Sequence, residues 1–371
     1  MDRPVKILVV DDSVLYRKII RDVLAGIPGV EVVGIARNGV EALEQIERLQ
    51  PDLLTLDVEM PDMDGLSVLR EMRRRGHSAR AVMCSTLTAE GAVATVRALH
   101  QGAFDFVVKP TAGSPQENGR LLHEALRTRI EAFQQSGHAA PLKSPPRQPL
   151  PLTRGAVPTA PRLISPISPI ETAQPSVPPA VVAIGISTGG PDALRRFLPE
   201  LPANFPCPVL IVQHMPPFFT KSLAESLDAR CALTVTEAEH QEPVQPGRIY
   251  IAPGGRQMRV GKTVGQVRIE LTDDPPENNC RPAVDYLFRS VAQTYGSATL
   301  SVIMTGMGSD GTDGCRQIKR AGGRVIAQSA ESCVVFGMPR LPIEERLADR
   351  IVPLDQMAGV LQSLTGQGVF A

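Results

Sequence analysis

The stretch VVAIGISTGGPDAL, Val181–Leu194, joins an apolar run to a glycine-rich turn and then to a Pro-Asp start. An apolar run bounded by such a turn reads as a buried strand, and Pro-Asp opens a helix. The segment is therefore a strand–turn–helix unit, the element from which parallel α/β sheets are built. It has two chemical readings. Free backbone N–H groups at the start of such a helix cradle phosphates. Equally, Gly185-Ile186-Ser187-Thr188-Gly189 fits G-x-S-x-G, which mounts a nucleophilic serine on a sharp turn.

The same unit recurs to either side. Downstream, PVLIVQH, RIYIAP, TLSVIMTG and RVIAQ are strand candidates separated by helical segments such as FTKSLAESLD and AVDYLFRSVAQTYG. The alternation in Met258–Leu271 predicts a hairpin inserted between the parallel strands. Upstream, KILVVDD, VEVVGIA, the strand in PDLLTLDVEMPDMDG, RAVMCS and DFVVKP alternate with helices. The expectation is α/β: two doubly wound parallel-sheet domains, over residues 4–129 and 180–369. Residues 137–179 hold about a third of the chain's 34 prolines, which remove backbone donors and favour extended forms, so this segment reads as a Pro-rich linker.

Composition narrows the function. Of the 371 residues, 43% are hydrophobic, enough for ordinary cores, and the formal net charge is zero. Without a basic run, and with no tryptophan, the chain is not expected to bind nucleic acid. Its six cysteines are scattered without a C-x-x-C pair, so neither a zinc site nor a thioredoxin-type motif is indicated, and reduced thiols are expected. No signal peptide or apolar stretch of membrane-spanning length is present, so a soluble, cytoplasmic protein without membrane insertion is expected.

In open parallel sheets, ligands bind beyond the carboxyl ends of the strands. In the first domain, Asp11 and Asp12 end the first strand and Asp57 ends the third. Three carboxylates in one crevice repel one another unless a hard cation such as Mg²⁺ joins them. Lys109 ends the fifth strand, and Ser85 and Thr86 end the fourth. With ILVVDDS, LLTLDVEMPDMDG and DFVVKP in this order, the first domain resembles the receiver of bacterial response regulators. The resemblance implies a flavodoxin-like fold, with Asp57 accepting a phosphoryl group from a histidine kinase and Asp11 and Asp12 helping to hold Mg²⁺. Lys109 would contact the phosphoryl group, and either Ser85 or Thr86 would supply the switch hydroxyl.

A dinucleotide site at the opening turn would need G-x-G-x-x-G and an acid ending the next strand. Ser187 replaces the middle glycine, the next strand ends in Gln213 and His214, and Asp192 adds a carboxylate where a phosphate would sit. These features suit nucleophilic catalysis instead. A serine needs a base, usually histidine, and the imidazole needs an orienting carboxylate. TGMGSDGTDG offers Asp310, with Asp313 as a rival, and the Met307 N–H could serve an oxyanion.

The order Ser–His–Asp differs from that of ordinary α/β-hydrolases. Together with GISTGGPDAL, VQHMPPFFTKSLAESLD, RIYIAPGGRQM, RPAVDYLFRSVA, TGMGSDGTDG and AQSAESCVVFGMPR, it resembles the CheB family of chemotaxis protein-glutamate methylesterases. With the receiver in front, the resemblance covers nearly all of the chain outside the linker. It implies a three-layer α/β methylesterase domain that hydrolyses glutamate methyl esters on chemoreceptors and deamidates certain glutamines. No cofactor is expected for the esterase. Ser187 would be the nucleophile, His214 the base, Asp310 the orienting acid and Met307 an oxyanion donor. The implied partners are methyl-accepting receptors as substrate and a chemotaxis histidine kinase as phosphodonor, and phosphorylation of Asp57 would relieve inhibition by the receiver. Two departures stand out. Ile186 lies where the family often has alanine, and GGRQM replaces a commoner Gly-Asp-Arg-His-Met. The competing classes are an adaptor that only binds a partner and a nucleotide-binding output domain.

Overall fold

The structure, a computed structural model, describes residues 3–111, 114–136, 177–263 and 265–366. Most of the expected Pro-rich linker, residues 137–176, lies outside the described residues.

The N-terminal half runs β1 (Val5–Val10), α1 (Val14–Ala25), β2 (Val30–Ala36), α2 (Gly39–Leu49), β3 (Leu53–Asp57), α3 (Gly65–Arg75), β4 (Arg80–Ser85), α4 (Ala89–His100), β5 (Asp105–Val108) and α5 (Pro115–Gln135). All strand pairs are parallel, in the order β2-β1-β3-β4-β5. The order reverses between β1 and β3, so the crevice falls where Asp11, Asp12 and Asp57 end their strands. Each helix starts from a side chain that accepts a backbone N–H three residues on: Ser13, Asn38, Asp64, Thr88 and Ser114. Such caps satisfy donors that the first helical turn leaves free. Helix α5 continues to Gln135, past the 129 at which the sequence reading ends the domain.

The C-terminal half runs β6 (Val181–Ile186), α6 (Gly190–Phe197), β7 (Val209–Gln213), α7 (Phe219–Asp228), β8 (Thr234–Glu237), β9 (Arg248–Ile251), β10 (Gln257–Thr263), β11 (Gln266–Thr272), α8 (Val284–Tyr295), β12 (Thr299–Ile303), α9 (Thr312–Arg320), β13 (Arg324–Gln328), α10 (Arg340–Glu344), β14 (Arg350–Val352) and α11 (Met357–Leu364). Seven parallel strands lie in the order β14-β13-β12-β6-β7-β9-β8, and β10 and β11 form the expected separate hairpin. Strands β6, β7 and β12 are buried along their whole length, as central strands covered by helices on both faces must be. The edge strands β8 and β14 are only four and three residues long, too short to present an apolar run in the sequence. Here the order reverses between β12 and β6, and the crevice lies beyond Ser187 and the loop after Ile303.

Candidate functional sites

The receiver crevice is a cavity of about 300 Å³ whose lining includes Asp12, Asp57, Ser85, Thr86 and Lys109. Lys109 reaches across it, with Nζ 2.6 Å from Asp57 Oδ2 and 2.7 Å from Asp11 Oδ2. Burial pushes the Asp57 carboxyl up and Asp11 adds to this; Lys109 pulls it back only partly, leaving it at about 6. Burial disfavours the Lys109 ammonium, but Asp57 and Asp11 hold its pKa above the ordinary value. Carboxylate oxygens of Asp11, Asp12 and Asp57 lie within 4.8 Å of one another. An all-oxygen set of three acidic donors so close together fits a hard divalent cation. The two hydroxyl candidates differ. Ser85 is buried, and its Oγ donates to the Gly91 carbonyl at 3.2 Å, while Thr86 Oγ1 meets Thr88 Oγ1 at 3.4 Å.

In the second domain, β12, β6 and β7 are neighbours, so the loops that follow them converge. Ser187 follows β6, His214 follows β7, and Asp310 lies in the loop after β12. The turn holding Ser187 depends on two glycines. Gly189 has φ +80°, and a Cβ there would meet Val334 Cβ at 2.6 Å. A Cβ on Gly306 would meet Ser187 Cβ at 2.7 Å. The Ser187 backbone is pinned by its N–H to the Thr305 carbonyl, 2.9 Å, and by its carbonyl accepting Gln213 Nε2, 3.0 Å.

His214 Nε2 lies 2.8 Å from Asp310 Oδ2. Asp310 is buried and further accepts the Val284 N–H on Oδ2 (2.7 Å) and the Asp285 N–H on Oδ1 (3.0 Å). These are the first donors of α8, so a helix N-terminus holds the carboxylate. Burial opposes the charge on Asp310, but the His214 contact and these N–H groups outweigh it, and its carboxyl lies below the usual range. Burial likewise opposes an imidazolium at His214, but Asp310 and Cys280 overcome it and hold the ring's pKa well above the ordinary value. Asp313 takes no part in the pair: it is exposed and bonds Arg316. His214 Nδ1 faces Cys280 Sγ at 3.6 Å, and among the described residues no hydrogen bond joins Ser187 to the ring. The sequence reading missed Cys280, because a scattered cysteine carries no local signal of a histidine 66 positions away. Among the described residues no hydrogen bond occupies the Met307 N–H.

The receiver packs against the rim of this site. Thr188, beside Ser187, donates from Oγ1 to Asp105 Oδ2 at 2.6 Å, and both residues are buried. Phe106 stacks on Phe219 with centroids 4.7 Å apart, and Ser226 Oγ meets His100 Nδ1 at 3.2 Å. Val335 is buried within the receiver's own apolar cluster, against which Met307 and Val334 also pack.

The two halves thus define a receiver joined face to face with an α/β domain that gathers a serine, a histidine and an aspartate at its switch point. Comparison with known families agrees with this division: the response regulator receiver domain matches residues 7–117, and the CheB methylesterase matches residues 182–361. The chain belongs to the CheB methylesterase family. It is 45% identical to the protein-glutamate methylesterase/protein-glutamine glutaminase of Desulfotalea psychrophila, over 95% of this chain and 96% of that one. It is 42% identical to the protein of the same name from Thermotoga maritima, over 95% and 96%. The crystal structure of the Thermotoga maritima CheB methylesterase catalytic domain covers 51% of this chain and all of that one, at 49% identity and a TM-score of 0.50. No helix among the described residues is long and apolar enough to cross a membrane.

Proposed function

We propose that the chain is a phosphorylation-regulated serine hydrolase that demethylates glutamate methyl esters on the cytoplasmic helices of chemoreceptors and deamidates certain of their glutamines. The observation that carries this reading is the adjacency of β12, β6 and β7, which brings Asp310, Ser187 and His214 to one edge with a 2.8 Å His–Asp contact.

Asp310 engages Nε2, so Nδ1 is the basic nitrogen. Ser187 Oγ attacks the ester carbonyl carbon while its proton passes to Nδ1. The oxyanion is met by the Met307 N–H. As the tetrahedral carbon collapses, Nδ1 returns the proton to the methoxy oxygen, and methanol leaves an acyl-serine. Water then attacks, gives its proton to Nδ1, and releases glutamate as Ser187 recovers its proton. With a glutamine substrate, ammonia leaves in place of methanol.

This cycle needs Nδ1 free and facing Ser187, whereas with the receiver packed at the rim it faces Cys280. We read that state as the inhibited one. A chemotaxis histidine kinase would phosphorylate Asp57, with Asp11, Asp12 and Asp57 holding Mg²⁺, which offsets charge at the phosphoryl group. Lys109 would then leave the Asp57 carboxylate for the phosphoryl oxygens, and Ser85 would exchange the Gly91 carbonyl for them, shifting α4. Helix α4 packs on α6 and α7, so this movement loosens the cover over Ser187. Methanol release from methylated receptor tests the reading, measured for wild type and S187A with and without a small phosphodonor. Equal rates for wild type and S187A would defeat it, and binding of receptor without turnover would mark an adaptor.

A further inference from the structure

Asp310 shares its pocket with a second buried carboxylate, Asp285, which the reaction above does not use. The two are joined by one side chain. Asn278 Nδ2 donates to Asp285 Oδ2 at 2.8 Å and to Asp310 Oδ1 at 2.9 Å. An amide nitrogen carries two protons, so each carboxylate receives one. Asp285 Oδ1 in turn accepts the Gly314 N–H of α9 at 2.6 Å. The amide is delivered by a tight turn. Glu277 and Cys280 exchange backbone hydrogen bonds, and Asn278 and Asn279 take φ +52° and +60°, a conformation asparagine tolerates better than most residues. Arg289 of α8 anchors that turn through both oxygens of Glu277, at 3.0 and 2.7 Å.

Asp310 therefore receives four hydrogen bonds, two on each oxygen: Asn278 and the Asp285 N–H on Oδ1, His214 and the Val284 N–H on Oδ2. We propose that Asn278 and Asp285 are positioning residues of the hydrolase, a carboxylate–amide–carboxylate clamp that aims Asp310 and sets how tightly it holds the His214 imidazole. The inference rests on the triad reading above. Asn278 draws negative charge from the oxygen opposite His214 and so weakens Asp310's hold on the ring. Asp285 acts in the reverse sense, adding a buried negative charge one amide away. Its own carboxyl is raised to about 6 by burial first and by Asp310 second. The other ionisable groups facing this cluster are Cys280 against His214 and, beside Asp285, Cys315 and the Arg289–Glu277 pair.

The two residues therefore move the His214 titration in opposite directions. Asn278→Gly removes the amide while tolerating the left-handed backbone. Asp310 then holds the imidazolium more tightly, and the acid limb of kcat/KM moves to higher pH. Asp285→Asn removes the charge, keeps an oxygen for the Gly314 N–H, and moves that limb to lower pH. In the full-length protein acting on methylated receptor, each variant is expected to lose about tenfold in kcat with little change in KM. The His214 ring is also titrated by NMR in an S187A background, where no turnover is needed, so this arm stands apart from the hydrolase reading. Opposite displacements of the ring pKa support the clamp. Displacements in a common direction, or none, overturn it. Should D285N fail to fold, N278G decides alone: a ring pKa raised above that of the S187A parent supports the clamp, and an unchanged or lowered one overturns it.

Discussion

The two domains are built on the same doubly wound plan but finish their helices differently. In the receiver, every helix is capped by a serine, threonine, asparagine or aspartate just ahead of it. In the catalytic domain α6, α7, α8 and α9 have no such side chain. Two of those starts are capped from afar: α8 by Asp310 and α9 by Asp285. A local cap stabilises one helix. A remote cap ties a helix to a carboxylate of the candidate site, so the donors left free by local sequence become part of that site.

The sharpest way to break this comparison is at Ser187 and at Asp310, the remote cap of α8. S187A is expected to lower methanol release by roughly 10⁴-fold, because triad members act as a unit. D310A should lose a comparable factor and also destabilise the domain, since it strips α8 of its cap; activity and thermal melting measured together separate the two effects. Next in size is the covering contact. T188V keeps the shape of the side chain and removes its bond to Asp105. Its activity without phosphodonor should rise several-fold, while the phosphorylated rate changes little. An unchanged resting rate would show that the apolar contacts alone hold the cover.

The receiver crevice yields a prediction in pH. Asp57 binds its proton more tightly folded than unfolded, with a pKa of about 6 against 3.8. Its ionisation therefore costs stability, a cost that appears as pH rises from about 4 through 6 and persists above. D57N should be more stable than wild type at pH 7 by on the order of 3 kcal/mol, with the difference vanishing below about pH 4. Denaturant titration at three pH values checks this, and a difference that grows toward low pH would contradict it. The smallest effect belongs to a local cap. S114A should cost about 1 kcal/mol of receiver stability without altering the esterase.

How far the sequence could be read follows the same divide. Strands ending in acids, hydroxyls and a lysine are local patterns, and ligands bind beyond the carboxyl ends of such strands, so the receiver crevice was legible. Ser187 and His214 were legible for the same reason, each standing just past an apolar strand. Asn278 lies in an Asn-Asn turn signal, but nothing near it in sequence points to Asp310, 32 residues on. Asp285 sits inside an amphipathic helix, where an acid passes for a surface residue. Asp105 and Thr188 look like ordinary strand-end and turn residues until the two domains meet. Edge strands β8 and β14 escaped because neither has an apolar run to mark it.

The bond between Thr188 and Asp105 has one more consequence. Asp105 opens β5, and Lys109 follows that strand's last residue, so only three residues separate the contact beside Ser187 from the ammonium that grips Asp57. If phosphorylation at Asp57 acts on Ser187 through this strand, the influence must run both ways, because coupling between binding events has no preferred direction. A transition-state analogue seated on Ser187 should therefore favour phosphoryl mimics at Asp57 by the same factor with which those mimics favour the analogue. In thermodynamic terms such a result would make the methylated substrate itself an effector of the receiver.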